Sequence, residues 1–161
     1  WGVYPVVKDD EPTVQDAQIA VLDEAPELVN GVWTLGWTVR DRTPEEVEEH
    51  TKRKKRAIKA RRDVAIDAGT TVGGVSVATD NLTQQRITGA ALAAQIDNTI
   101  IVKWKLEDDT FVTLDATQII GIAQGIRAHI QACFDREAEL LAALNVGEDY
   151  DIDTGWPVKP E

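Results

Sequence analysis

Three groups of residues in this chain of 161 have the types and spacing that chemistry would need. Asp149, Asp151 and Asp153 repeat at alternate positions, as the oxygen ligands of a calcium loop begin, since a hard cation is held by carboxylates gathered round a tight turn. The pattern fails at the sixth position, where Thr154 replaces glycine, and at the twelfth, where Pro160 replaces the bidentate glutamate. His129 and Cys133 stand four residues apart on one helix face and could share a metal, but Cys133 falls on an apolar stripe and reads as a buried thiol. One cysteine and two histidines exclude an internal disulfide and the four-ligand Cys/His arrays of structural zinc. Gly73-Gly74 lacks the Lys-Ser/Thr of a phosphate loop, and no nucleophile elbow, HExxH or dinucleotide fingerprint occurs. The expectation is a chain that is not an enzyme and uses no cofactor or metal.

The third group is aromatic and basic. Trp33 and Trp37, with Leu35 and Val39, line one face of an alternating arm from Val32 to Arg40. Such an arm reads as half-buried strand packing or as a surface for carbohydrate or a protein partner. The run Lys52-Arg53-Lys54-Lys55-Arg56 suggests nucleic acid, but it has no interleaved aromatic and follows an acidic turn. It reads instead as the solvated side of a spacer helix or coiled-coil stalk. A net charge of −11 also repels nucleic acid and anionic membranes.

These residues need elements to position them. Val6 and Val7 follow Pro5, which confines that strand to a sheet edge. Asn30-Gly31 between apolar flanks predicts a tight hairpin. Thr43-Pro44-Glu45-Glu46 starts a helix with a capping box, Glu48 and Lys52 pair along it, and it stops near Ala68-Gly69. Its stripe of Val47, Ala57, Ile58 and Ala65 looks too thin to be buried by its own domain and suits self-association, with a trimer favoured. A glycine-entered short strand ending in a turn, Gly73 to Asp80, precedes a helix capped by Asp80 or Thr83. Alternation over Ile100 to Leu106 and Phe111 to Leu114 predicts a hairpin turning at Glu107 to Thr110. Asp115 and Gln118 then cap a long helix to Asn145, and an acidic, turn-rich tail follows.

The fold expected is α+β: an N-terminal β-hairpin unit over 1–42, a charged connecting helix over 43–68, and a C-terminal α+β domain over 69–161 with its hairpin packed on the long helix. Trp33, Trp37, Val47 and Ile58 are the candidate interaction surface. No apolar run approaches the roughly 18 residues of a membrane span, so a soluble chain without membrane contact is expected. Trp1-Gly2-Val3-Tyr4-Pro5 has no basic leader region, and the lack of methionine even at position 1 leads us to expect residues before Trp1.

Arg62-Asp63-Val64-Ala65-Ile66, Gly74-Val75-Ser76-Val77-Ala78-Thr79-Asp80, Gln85-Arg86-Ile87-Thr88-Gly89-Ala90, Trp104-Lys105 with Phe111-Val112-Thr113-Leu114-Asp115, and His129 to Phe134 carry a resemblance. From Arg61 onward the chain resembles a domain of unknown function in tailed bacteriophages and prophages, usually near tail-fibre genes or at the end of tail-fibre-associated proteins. Ile152-Asp153-Thr154-Gly155-Trp156-Pro157 fits it, and the Pro26 to Trp33 hairpin is similar to what often precedes that domain. Asp109 departs from it, since glycine often follows aspartate there, so a longer or different turn is expected. The resemblance implies a virion tail component made in the bacterial host cytoplasm: a tail fibre, fibre attachment or baseplate part, or alternatively an assembly chaperone. Its partners would be other tail proteins and its own copies, with host-surface contact at the aromatic arm.

Overall fold

Asn30 and Gly31 both take positive φ (50° and 83°), the backbone of a two-residue hairpin turn whose twist suits the strands on either side. They join β3 (Glu27–Val29) to β4 (Val32–Leu35), while β1 (Val6–Lys8) lies parallel to β4 along its other edge. β2 (Gln18–Leu22) pairs antiparallel with β5 (Trp37–Asp41) in a second, two-stranded sheet. The computed structural model describes residues 4–106 and 109–159. Trp1 to Val3, Glu107-Asp108 of the expected turn, and Pro160 of the calcium-loop comparison lie outside the described residues.

The arm from Val32 to Arg40 is therefore not one strand. Gly36 divides it: Leu35 accepts from the Asp9 N–H (3.1 Å), whereas Gly36 accepts from the Asp23 N–H (3.0 Å), so the two halves are held by different neighbours. α1 (Pro44–Asp67) starts as its sequence announces. Thr43 Oγ1 accepts from the Glu46 N–H at 3.3 Å and Glu46 Oε2 accepts from the Thr43 N–H at 2.9 Å. Arg40 adds two bonds to the Glu46 carboxylate, which with the Thr43 N–H lowers its pKa to about 2.

The molecule comprises two units, 1–54 and 55–161. In the second unit Gly69 (φ 79°) ends α1 in the left-handed conformation that favours glycine, and a short hairpin follows, β6 (Thr70–Val72) and β7 (Val75–Val77). Gly73 and Gly74 form its turn at φ 57° and 80°, so they connect two strands where one glycine-entered strand was expected. Asp80 caps α2 (Asn81–Ile96) through the Leu82 and Thr83 N–H groups. β8 (Ile101–Lys105) and β9 (Phe111–Asp115) make the expected hairpin, with Asp109 at φ 67°, a conformation glycine would adopt more readily. Asp115 and Gln118 form the capping box of α3 (Ala116–Val146), 31 residues long.

Two apolar clusters hold this unit. In one, Leu114 of β9 and Val77 of β7 pack with Ile87 of α2 and Ile119, Ile122 and Ile126 of α3, with Val102 and Trp104 against them. A hairpin on a long helix was the expectation, and its residues are those of the alternation. Gly125 lets Val72 approach α3, since a Cβ there would overlap the Val72 side chain. In the other cluster Ile58 and Ala65 of α1 pack with Cys133 and Leu140 of α3 and with Trp156, which belongs to the tail.

Trp156 is held at its edge and on one face: its Nε1 donates to the Ile152 carbonyl (2.7 Å) and Arg61 lies 5.7 Å from the ring centroid. Arg136 of α3 donates to the Thr154 and Asp151 carbonyls at 3.1 and 3.3 Å, fastening the tail turns. Trp156→Ala would open a cavity under Arg61, and we expect it to cost about 3–5 kcal/mol. Denaturant unfolding of the variant measures this; an unchanged midpoint would contradict the packing.

Candidate functional site

No described residue between 4 and 54 is buried, although this stretch is rich in large apolar side chains. Cross-strand register puts Val6, Trp33 and Leu28 in one row on one face of the β1-β4-β3 sheet, and Val29 and Val32 with Val7 on the opposite face. All six are exposed, Trp33 at 37%. Apolar residues on both faces of a three-stranded sheet amount to a surface that water covers at a cost of about 25 cal/mol per Å².

The two tryptophans expected on one face are separated by the break at Gly36. Trp33 stays on the exposed row of the first sheet. Trp37 opens β5 opposite Leu22, its Nε1 donating to the Asp9 carbonyl (3.0 Å) and the Lys8 ammonium 4.6 Å from its ring centroid. It is half-buried and engaged by its own unit. Val47 is 47% exposed on α1 and stays available.

Ile58 is not. It has 0% exposure, sealed between α1 and α3 with Cys133 and Leu140. The stripe on α1 looked too thin for its own domain to bury because only α1 was counted. The cover comes from α3 and from a tail whose apolar residues, Tyr150, Ile152 and Trp156, are spaced among acids and turns. Ile58, expected on an interaction surface, and Ala65 are therefore core positions, buried within the chain itself.

Much of the basic run is committed within the chain. Lys52 pairs with Glu48 at 2.6 Å, and Lys54 and His50 share Asp16 at 2.5 and 2.9 Å. Those bonds, Lys54 foremost, hold the Asp16 carboxyl below the ordinary range. Arg61 faces Asp153 at 3.5 Å, and Arg62 meets Glu137 at 2.6 Å while stacking 4.7 Å over Phe134. The exposed side of the helix is thus laced with ion pairs, as its charge order implies.

His129 and Cys133 come together on one face of α3. His129 Nε2 lies 3.0 Å from the Ala65 carbonyl, which only accepts, so this nitrogen carries the hydrogen and ties α3 to α1. Cys133 Sγ sits 3.9 Å from it, and burial pushes the thiol pKa up. Asp151 accepts from the Asp153 N–H (2.9 Å) in a local turn, and its carbonyl faces Arg136. Among the described residues no group of three or more His, Cys, Asp or Glu is placed to hold a metal, and no helix is long and apolar enough to cross a membrane.

Sequence reasoning missed Thr79. Fully buried, its hydroxyl donates to the Ile66 carbonyl and accepts from the Gly69 N–H, so a side chain thirteen residues on closes the end of α1. Gln84 in turn donates to the Thr79 carbonyl at 2.7 Å.

The profile of one protein family, described as a domain of unknown function (DUF4376), matches residues 49–154. The chain belongs to the DUF4376 family. The match opens inside α1 and closes in the tail, so the DUF4376 segment contains Ile58, Ala65, Cys133 and Leu140 together with the Arg136 contacts at Asp151 and Thr154. No curated protein and no solved structure matches the chain.

The buried thiol gives a direct check. We expect Cys133 of the native chain to stay unreactive toward an aromatic disulfide reagent at pH 8 and to titrate fully once the chain is unfolded in guanidinium. Rapid reaction in the native state would place the thiol at an accessible site.

Proposed function

We propose that this protein is a non-enzymatic structural component of a bacteriophage tail, in a fibre, a fibre attachment or the baseplate. Two lines support the reading. One is the resemblance carried by Arg62 to Ile66, Gly74 to Asp80 and His129 to Phe134. The other is the observation that carries most weight: an N-terminal unit whose strands expose apolar residues on both faces and bury none among the described residues. Such a unit gains stability by being covered, which is the condition of a part built into a larger assembly. The partners in this reading are other tail proteins and further copies of the chain, with a trimer favoured.

With Ile58 inside the C-terminal core, the contact between copies runs through the Trp33 row and Val47 and not through the second half of α1. Nucleic acid and membrane have no part in this reading, and host-surface contact would fall to Trp33, since Trp37 is engaged by Asp9 and Lys8. The location is the virion tail, after synthesis and assembly in the host cytoplasm. An assembly chaperone would need the same sticky unit only transiently, so composition of the particle separates the two. Mass spectrometry of purified phage particles is expected to find the chain in stoichiometric ratio to known tail proteins. Its absence from particles, with fibres failing to form when its gene is deleted, would assign it to the chaperone role.

A further inference from the structure

The β6–β7 and β8–β9 hairpins each have one paired edge, and among the described residues the outer edges of β7 and β8 pair with no strand. A cleft of ≈ 480 Å³ lies between those two strands. It is lined by Ser76, Val77 and Ala78 on one side, by every residue from Val102 to Leu106 on the other, and by Thr83, Arg86 and Ala90 of α2. Consecutive strand residues point their side chains to opposite faces, so a cleft touched by all of them runs along the strand edge and not across one face. Register agrees. The Leu106 N–H donates to the Thr110 carbonyl at 2.8 Å, so by alternation Val102 and Trp104 bond toward β9 and the N–H groups of Lys103 and Lys105 point away from it.

The charge of the cleft opposes that of the molecule. Arg86, Lys103 and Lys105 line it and no carboxylate does, in a chain of net charge −11. Lys105 is paired with Asp109 at 2.5 Å, whereas Arg86 and Lys103 make no ion pair among the described residues. We propose that this cleft binds an extended acidic segment of a partner protein, which adds as a strand along the outer edge of β8. Main-chain hydrogen bonds to the outward groups of Lys103 and Lys105 supply affinity, and Arg86 and Lys103 select carboxylates. The site belongs to the C-terminal unit and does not depend on the tail assignment.

The test uses the full chain and a capped peptide of alternating valine and glutamate, titrated by calorimetry at physiological salt. The expected result is saturable one-to-one binding, weakened at least tenfold by Arg86→Glu or Lys103→Glu, both exposed positions whose change leaves the fold intact. Methylating alternate backbone nitrogens of the peptide, which preserves its charge, is expected to weaken binding by a similar factor. Absence of binding, equal affinity for the methylated peptide, or equal affinity for an oligothymidylate of the same charge would overturn strand addition. Concentration-dependent dimerisation of the chain alone, abolished by Arg86→Glu, would give the cleft to a second copy and overturn it as well.

Discussion

The C-terminal unit depends on closing one cluster from three distant parts of the chain. Ile58 and Ala65 come from α1, Cys133 and Leu140 from α3, and Trp156 from the tail. None of these parts has cover of its own: α1 carries a narrow apolar stripe, and the tail has too few apolar residues to fold alone. Together they exclude water, and the polar contacts around them follow. His129 reaches the Ala65 carbonyl, Arg62 reaches Glu137, and Arg136 takes two carbonyls of the tail. The buried histidine and the half-buried arginine are tolerated because each has its partner.

The local signals in this chain were readable because their chemistry is short-range. Asn30-Gly31 makes its turn, Thr43 with Glu46 and Asp115 with Gln118 make their capping boxes, and the alternation from Ile101 to Leu114 makes its hairpin with Trp104 inward. What could not be read was set by contacts far apart in sequence. Gly36 breaks an otherwise regular alternation because Leu35 and Gly36 are claimed by Asp9 and Asp23, which lie just past the ends of β1 and β2. Ile58 looked like a seam because its cover, around Leu140 and Trp156, lies some eighty to a hundred residues away. Thr79 looked like the end of a strand, and nothing in its neighbours says that its hydroxyl terminates a helix.

The two units place their apolar residues differently, and that difference bears on function. The C-terminal unit closes two buried apolar clusters, though Ile96, Ile101 and Phe111 stay exposed, and matches a family over almost its whole length. The N-terminal unit leaves Val6, Leu28, Val32 and Trp33 exposed on short strands held by main-chain ladders and by single side-chain bonds such as Trp37 to Asp9.

Because the closing of the α1, α3 and tail cluster is the central claim, amide hydrogen exchange across α1 tests it most directly. If the second half of α1 is core, amides of residues 55–67 share the slow exchange of residues 119–140, since both open only when the cluster opens. Exchange of 55–67 at the rate of a solvated helix, with 119–140 still protected, would contradict it and restore α1 as a free spacer.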